Sequence, residues 1–216
     1  MAALPALPNP YSRAIGPIIS GRDVELAALA LLKRWSGTYL AEAERQRGYD
    51  PGQLPRIRGW ATAADFEKWP EDQLPCVLLV SPGLTEAPRP DGAGYYRATF
   101  SLGLAVIVST ATMAETAVKA KLYCAAHRAC LLQHSSLEGF AAGLTWVDEA
   151  YDDIDSIDTR SIGAGQAIFA VEVEGFAARW NGPTTPSEPP DPDTDPLPTD
   201  PYVQPGRVGI DVTRIP

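Results

Sequence analysis

The sequence predicts an α+β fold: a four-stranded mixed or antiparallel sheet with two main helices packed on one face, plus an extended proline-rich C-terminal arm. Three observations predict it. Apolar residues recur at every second position from Tyr96 to Val108. The stretches 20–47 and 112–134 carry apolar residues at helical spacing behind N-terminal capping signals. Beyond residue 180 the composition turns to proline and acid.

The chain divides into an N-terminal arm (1–19), an α+β domain (20–180), a proline-rich acidic linker (181–206) and a strand-like tip (207–216). Ser20 and Asp23 form a capping pair before the first helix, whose apolar stripe is Val24, Ala28, Leu31, Leu32, Trp35 and Tyr39. Arg45, Arg47 and Gly48 suit its C-terminus, where cations meet the negative end of the helix and glycine accepts the left-handed cap. Residues 49–75 read as an irregular loop punctuated by Pro51, Pro55, Pro70 and Pro75, from which Trp60, Phe66 and Trp69 tuck onto the core. Strand 76–81 follows as a continuous apolar run.

Strand 95–108 places Tyr96, Ala98, Phe100, Leu102, Leu104, Val106 and Val108 on one face. Its far half, Gly103 to Val108, is apolar on both faces, so its second face also calls for cover. Thr112 and Glu115 match a capping box ahead of the second helix. The expected buried stripe of that helix is Ala114, Val118, Leu122, Ala125, Ala129 and Leu132, small residues that let it lie close to its neighbour. Strands 144–151 and 165–179 complete the sheet, with an acidic loop at 152–158 between them and a flexible glycine-bearing loop at Ser161–Gly165.

Between residues 183 and 201 eight of 19 residues are proline, five are acidic and none is basic. Such a stretch cannot bury enough apolar area to offset its ordering entropy, so an extended, polyproline-II-like linker is expected. Alternation returns at Val208, Ile210, Val212 and Ile215, a candidate docking arm that would add a strand to a sheet edge.

Composition excludes several classes. The net charge of −9 argues against a dedicated nucleic-acid binder, which displaces counterions from phosphates with a basic patch. No apolar run approaches the ~20 residues of a membrane span. The first ten residues lack the pattern of a secretory signal, so the expected place of work is the cytoplasm or a particle assembled there. Three cysteines, Cys76, Cys124 and Cys130, read as small hydrophobes rather than a disulfide framework.

Chemical candidates are sparse. Asp152, Asp153, Asp155 and Asp158 invite a metal reading, but Ile154 and Ile157 interrupt the ligand alternation, and the turn glycine and closing glutamate of a calcium loop are missing. They read instead as a solvated turn or as a face toward a partner or lumen. Cys124, His127 and Cys130 share a broad helix face, yet a second ligand pair for zinc is missing, and no orienting group supports a Cys–His nucleophile. No phosphate-binding glycine loop or nucleophile elbow is present. The sequence therefore points to no catalytic residues, no metal and no cofactor.

Four segments resemble the tail terminators of long-tailed bacteriophages, particularly those infecting actinobacteria. They are Trp69-Pro-Glu-Asp-Gln-Leu-Pro-Cys-Val-Leu-Leu-Val-Ser-Pro-Gly83, Lys121-Leu-Tyr-Cys-Ala-Ala-His-Arg-Ala-Cys-Leu-Leu-Gln-His134, Leu137 to Tyr151, and Gln166 to Gly175. The resemblance spans about residues 20–180, rests on packing motifs and leaves out the proline-rich tail. It implies a non-enzymatic virion protein at the head–tail junction, assembled in the host cytoplasm. Such a protein forms a homo-hexameric ring, caps the tail tube, stops its polymerisation and offers its other face to head-completion and neck proteins. DNA would pass through the lumen without specific binding. The alternatives are a head-closure or other neck protein, and a small enzyme or metal-binding protein.

Overall fold

The computed structural model describes residues 18–65, 71–91, 94–157 and 160–178. Helix α1, Gly21–Arg47, begins where expected: the Asp23 carboxylate accepts hydrogen bonds from the backbone N–H of Ser20 at 2.7 Å and from its hydroxyl at 2.6 Å. It ends on Gly48 in the left-handed conformation, with Arg45 and Arg47 in the last turn. Helix α2, Met113–Gln133, is capped by Thr112, whose hydroxyl accepts from the Glu115 N–H.

The sheet has six strands, not four. They are β1 (Gly59–Thr62), β2 (Cys76–Leu84), β3 (Arg89–Pro90), β4 (Tyr95–Thr110), β5 (Gly143–Ile157) and β6 (Arg160–Ala178). The order is β1-β2-β4-β6-β5, with β3 paired to β4. Only the β1–β2 pair is parallel, so the sheet is mixed. β1 and β3 are too short to show a period, and β1 lies between prolines in a stretch that reads as loop.

Two further corrections concern the β5–β6 hairpin. The segment expected as an acidic loop continues β5: Asp152 pairs with Ala164, Asp153 with Gly163 and Asp155 with Ile162. The glycine-bearing segment Ser161–Gly165, expected as a flexible loop, lies inside β6. Aspartate and glycine are poor strand formers by local preference, but a long antiparallel ladder overrides that preference. Charge is also well tolerated on an edge strand, where it discourages pairing with other chains.

Both helices cover one face. The even positions of β4 from Ala98 to Val108 and the odd positions of β6 from Ala167 to Val173 are buried there, joined in register by pairs such as Leu104–Ala167 and Leu102–Phe169. α1 contributes Val24, Ala28, Leu31, Leu32 and Leu40 to the same core, while Trp35 and Tyr39 pack against its margin. Each fully buried Leu, Val or Phe contributes about 1.5–3 kcal/mol of transfer free energy.

The buried side of α2 differs from the expected stripe. Ala114, Val118 and Leu132 are exposed. Leu122 is buried as expected, but the helix otherwise buries Thr116, Ala120, Tyr123, Cys124, Ala126, His127, Cys130 and Leu131. A helix rich in alanine offers more than one face of similar hydropathy. Hydrogen bonding decided the choice: Thr116, Tyr123 and His127 all find partners inside, with Thr116 donating to the Ser161 carbonyl at 3.1 Å and Tyr123 to the Pro55 carbonyl.

Two buried carboxylates hold loops to α1. Glu44 accepts from the N–H groups of Gly52 at 2.9 Å and Leu54 at 2.6 Å. Glu25 accepts from the Ser81 N–H at 2.6 Å, beside the bulge in β2. Trp60 packs against the core as expected; Phe66 and Trp69 lie outside the described residues.

Candidate functional site

The one nucleophile–base contact in the described interior joins Ser36 of α1 to His127 of α2. The Ser36 hydroxyl lies 2.9 Å from His127 Nε2, and His127 Nδ1 lies 2.7 Å from the Tyr123 carbonyl. A carbonyl can only accept, so Nδ1 carries the proton and Nε2 accepts from serine. Burial lowers the His127 pKa to about 4, against which the bond to the Tyr123 carbonyl is the smaller, opposing effect. The imidazole is thus neutral and aimed at a hydroxyl, as a general base would be. However, His127 is 1% exposed and Ser36 is 4% exposed. Both side chains are packed in the interior and each is hydrogen-bonded there, so the pair is read as a satisfied polar link between the two helices.

His127 does not pair with a cysteine, and all three cysteines are buried thiols. Burial pushes Cys76 and Cys130 up to about 12 and Cys124 to about 11, so none is a thiolate at neutral pH. Among the described residues no group of three or more His, Cys, Asp or Glu side chains could hold a metal. Asp152, Asp153 and Asp155 sit along the outer strand β5, and Asp158 lies outside the described residues, as do Val208, Ile210, Val212 and Ile215.

What the fold does present is a surface. The sheet face turned away from the helices has no second layer among the described residues. Its rows can be read from the register: Val80, Gly103, Ile168 and Asp148 lie side by side, and Leu78, Ala105, Gln166 and Ala150 form the next row. Cys76, Ile107 and Ala164 follow, but Cys76 and Ala164 are buried, so the open part of the face lies in the first two rows and at Ile107. Leu78, Val80, Ala105 and Ile107 are only half-buried, and Ile168 is 42% exposed. Small residues at 103, 105, 164 and 170 keep this face flat. Its polar margin is Arg97, paired with Glu172 at 2.9 Å and Glu174 at 2.7 Å.

At β5 this face ends on Asp148 and Ala150, whereas the exposed Trp146 and Tyr151 pair with Phe169 and Gly165 and so lie on the helix side of that edge strand. α2 holds this edge from the helix side. Arg128 pairs with Glu149, whose carboxylate also accepts from the Tyr151 hydroxyl. The Arg128 guanidinium lies 4.9 Å from the Trp146 ring centre, and the Lys121 ammonium 5.3 Å from that of Tyr151. The sequence announced this face through the two-sided apolar half of strand 95–108. It gave no sign of Ser36, because its pairing with His127 joins residues 91 positions apart.

No protein-family model and no curated protein sequence matches the chain. Among solved structures it is similar to a chain from the virion of a native gene transfer agent particle, at 18% identity and a TM-score of 0.39, covering 62% of this chain and 92% of that one. That likeness is too distant to assign a role.

Proposed function

We propose that this chain is a structural virion protein, the tail terminator of a phage-like particle. Copies close into a ring that caps the tail tube, stops its growth and gives the head and neck proteins a surface to dock on. The observation that carries this reading is the open apolar sheet face, together with a second exposed patch, Trp146 and Tyr151, on the helix side of edge strand β5. Contiguous apolar surface rimmed by charge is the mark of a protein–protein contact. A face and an edge that do not match each other suit a head-to-tail contact, and such contacts close into rings when the rotation allows. The sequence resemblance supplies the particular role and the ring of six.

No described helix is long and apolar enough to cross a membrane. The net charge of −9 would keep the DNA backbone from adhering as it passes through the ring.

Gold labelling of a tagged chain in purified particles tests the role. Label at the capsid–tail junction supports it; label on the capsid shell or at the distal tail overturns it. Ile168→Asp tests the surface. A charge placed in the open face should leave the circular dichroism unchanged and abolish incorporation into particles, whereas normal incorporation would remove the face from the contact.

A further inference from the structure

The helix layer carries a second feature, which the assembly reading leaves unused. A cavity of about 430 Å³ opens between α1 and the segment entering β1, lined by Lys33, Arg34, Gly37, Thr38, Arg56 and Trp60 among others. Lys33 and Gly37 are one helical turn apart and share a face. The Arg56 guanidinium lies beside the helix at Gly37: a Cβ at position 37 would stand 3.7 Å from Arg56 Cζ, an ordinary contact. Arg34 is engaged with Glu138 at 2.9 Å. Lys33 and Arg56 have no carboxylate partner among the described residues. Three cations around one hollow run against the net charge of −9 for the whole chain.

The same chain contains a complementary polyanion. Residues 183–201 hold five acids, no base and eight prolines. Proline restricts the free chain to extended conformations, so less entropy is lost when such a peptide is laid on a surface. We propose that the hollow between α1 and β1 is a binding site for an acidic peptide, and that its occupant is this chain's own segment around Asp195 and Asp200.

Reach selects those two residues. Trp60 is linked through Val77 and Val106 to Gly165, so it stands three strands across from β6 and well back from its end at Ala178. At ~3.3 Å per residue along a strand and ~4.8 Å between strands, the path from Ala178 to the hollow is about 45 Å. At ~3.1 Å per residue, an extended chain reaches about 53 Å by Asp195 and about 68 Å by Asp200, about 47 Å by Asp193, which leaves no slack, and only about 30–40 Å by Glu188 and Asp191. Nucleic-acid phosphate is the other anion class. Three cations without a continuing basic track suit a short acidic peptide better than a duplex.

Carbodiimide coupling of the full chain tests the assignment, since it joins an amine directly to a carboxylate in contact with it. The ion pair of Lys119 with Glu115, 2.9 Å apart, serves as an internal standard. Peptide mass spectrometry should find Lys33 joined to Asp195 or Asp200, at roughly ten times the yield of tail products from Lys119 or Lys121. Arg56→Glu, with circular dichroism unchanged, should cut the Lys33 product roughly fivefold while sparing the standard. Tail products spread evenly over Lys33, Lys119 and Lys121 would overturn the proposal, as would a Lys33 yield indifferent to Arg56→Glu. In a mixture of ¹⁵N-labelled and unlabelled copies, a Lys33 product formed only between copies would overturn the in-chain arrangement. Retardation of a DNA duplex that depends on Arg56, without a Lys33–tail product, would reassign the hollow to phosphate.

Discussion

Replacing Gly165 by alanine should be among the most damaging single-methyl changes in this protein. Gly165 lies in β6 directly beneath α2. A Cβ built on it would stand 2.7 Å from Cys124 Cβ and 2.8 Å from the Ala120 carbonyl oxygen. Carbon atoms rest at about 3.5–4.0 Å, so α2 would have to retreat by about 1 Å. Both obstructing groups belong to the helix backbone or its first side-chain atom, so no rotamer change relieves the contact. Retreat would also lengthen the 3.1 Å bond from Thr116 to the Ser161 carbonyl. Overpacking of this kind costs about 2–3 kcal/mol. For a domain of this size that lowers the melting temperature by about 5–10 °C. Differential scanning calorimetry measures it, with Gly103→Ala as the control. There the nearest atom to the new Cβ is the Val80 carbonyl at 3.5 Å, an ordinary contact. Gly103→Ala should stay within about 0.5 kcal/mol of the parent or gain slightly from a stiffer unfolded chain. A Gly165→Ala protein that melts with the Gly103→Ala control would refute the close approach of α2 to the sheet.

The remaining predictions concern the buried polar groups. The folded pKa of His127, about 4, lies below the ordinary 6.5. The unfolded chain therefore takes up the proton first, and the contribution of His127 to stability is full above pH 6.5 and lost as pH falls toward 4. The loss reaches about 3 kcal/mol, and urea midpoints followed from pH 7 to 4 should fall less steeply in His127→Gln. Ser36→Ala leaves the Nε2 acceptor unpaired in the interior and should cost about 1–3 kcal/mol at neutral pH in urea unfolding. Glu44→Ala strands the Gly52 and Leu54 N–H groups and should cost about 2–3 kcal/mol, whereas Glu44→Gln keeps one acceptor and should lose less; equal losses would mean that the carboxylate does not pin this loop.

The helices and the central strands were legible in the sequence because their signals are local. Ser20 with Asp23, Thr112 with Glu115, and Gly48 mark helix ends through contacts within four residues. The alternation from Tyr96 to Val108 reports a sheet with one covered face. Other features depend on distant pairing. β5 extends through its aspartates only because β6 lies beside it in register. The buried side of α2 was decided by hydrogen bonds from Thr116, Tyr123 and His127, which an apolar count cannot weigh. Gly165 reads as a loop residue until α2 is placed above it. Glu25 and Glu44 are charged residues on a helix and read as solvent-facing, but each meets backbone donors from a loop or strand end. The open sheet face was foreshadowed by Gly103 to Val108. The cationic hollow was not, because Lys33 and Arg56 meet only when β1 forms.

Hydroxyl-radical footprinting of the free chain and of the same chain in assembled particles tests the central claim most directly. Oxidation of Ile168, Leu78, Val80 and Ile107 should fall several-fold on assembly, while the exposed helix residues Leu26 and Met113 serve as references. Equal labelling of the sheet face in the two states would show that no neighbour covers it, and the assembly account would fail.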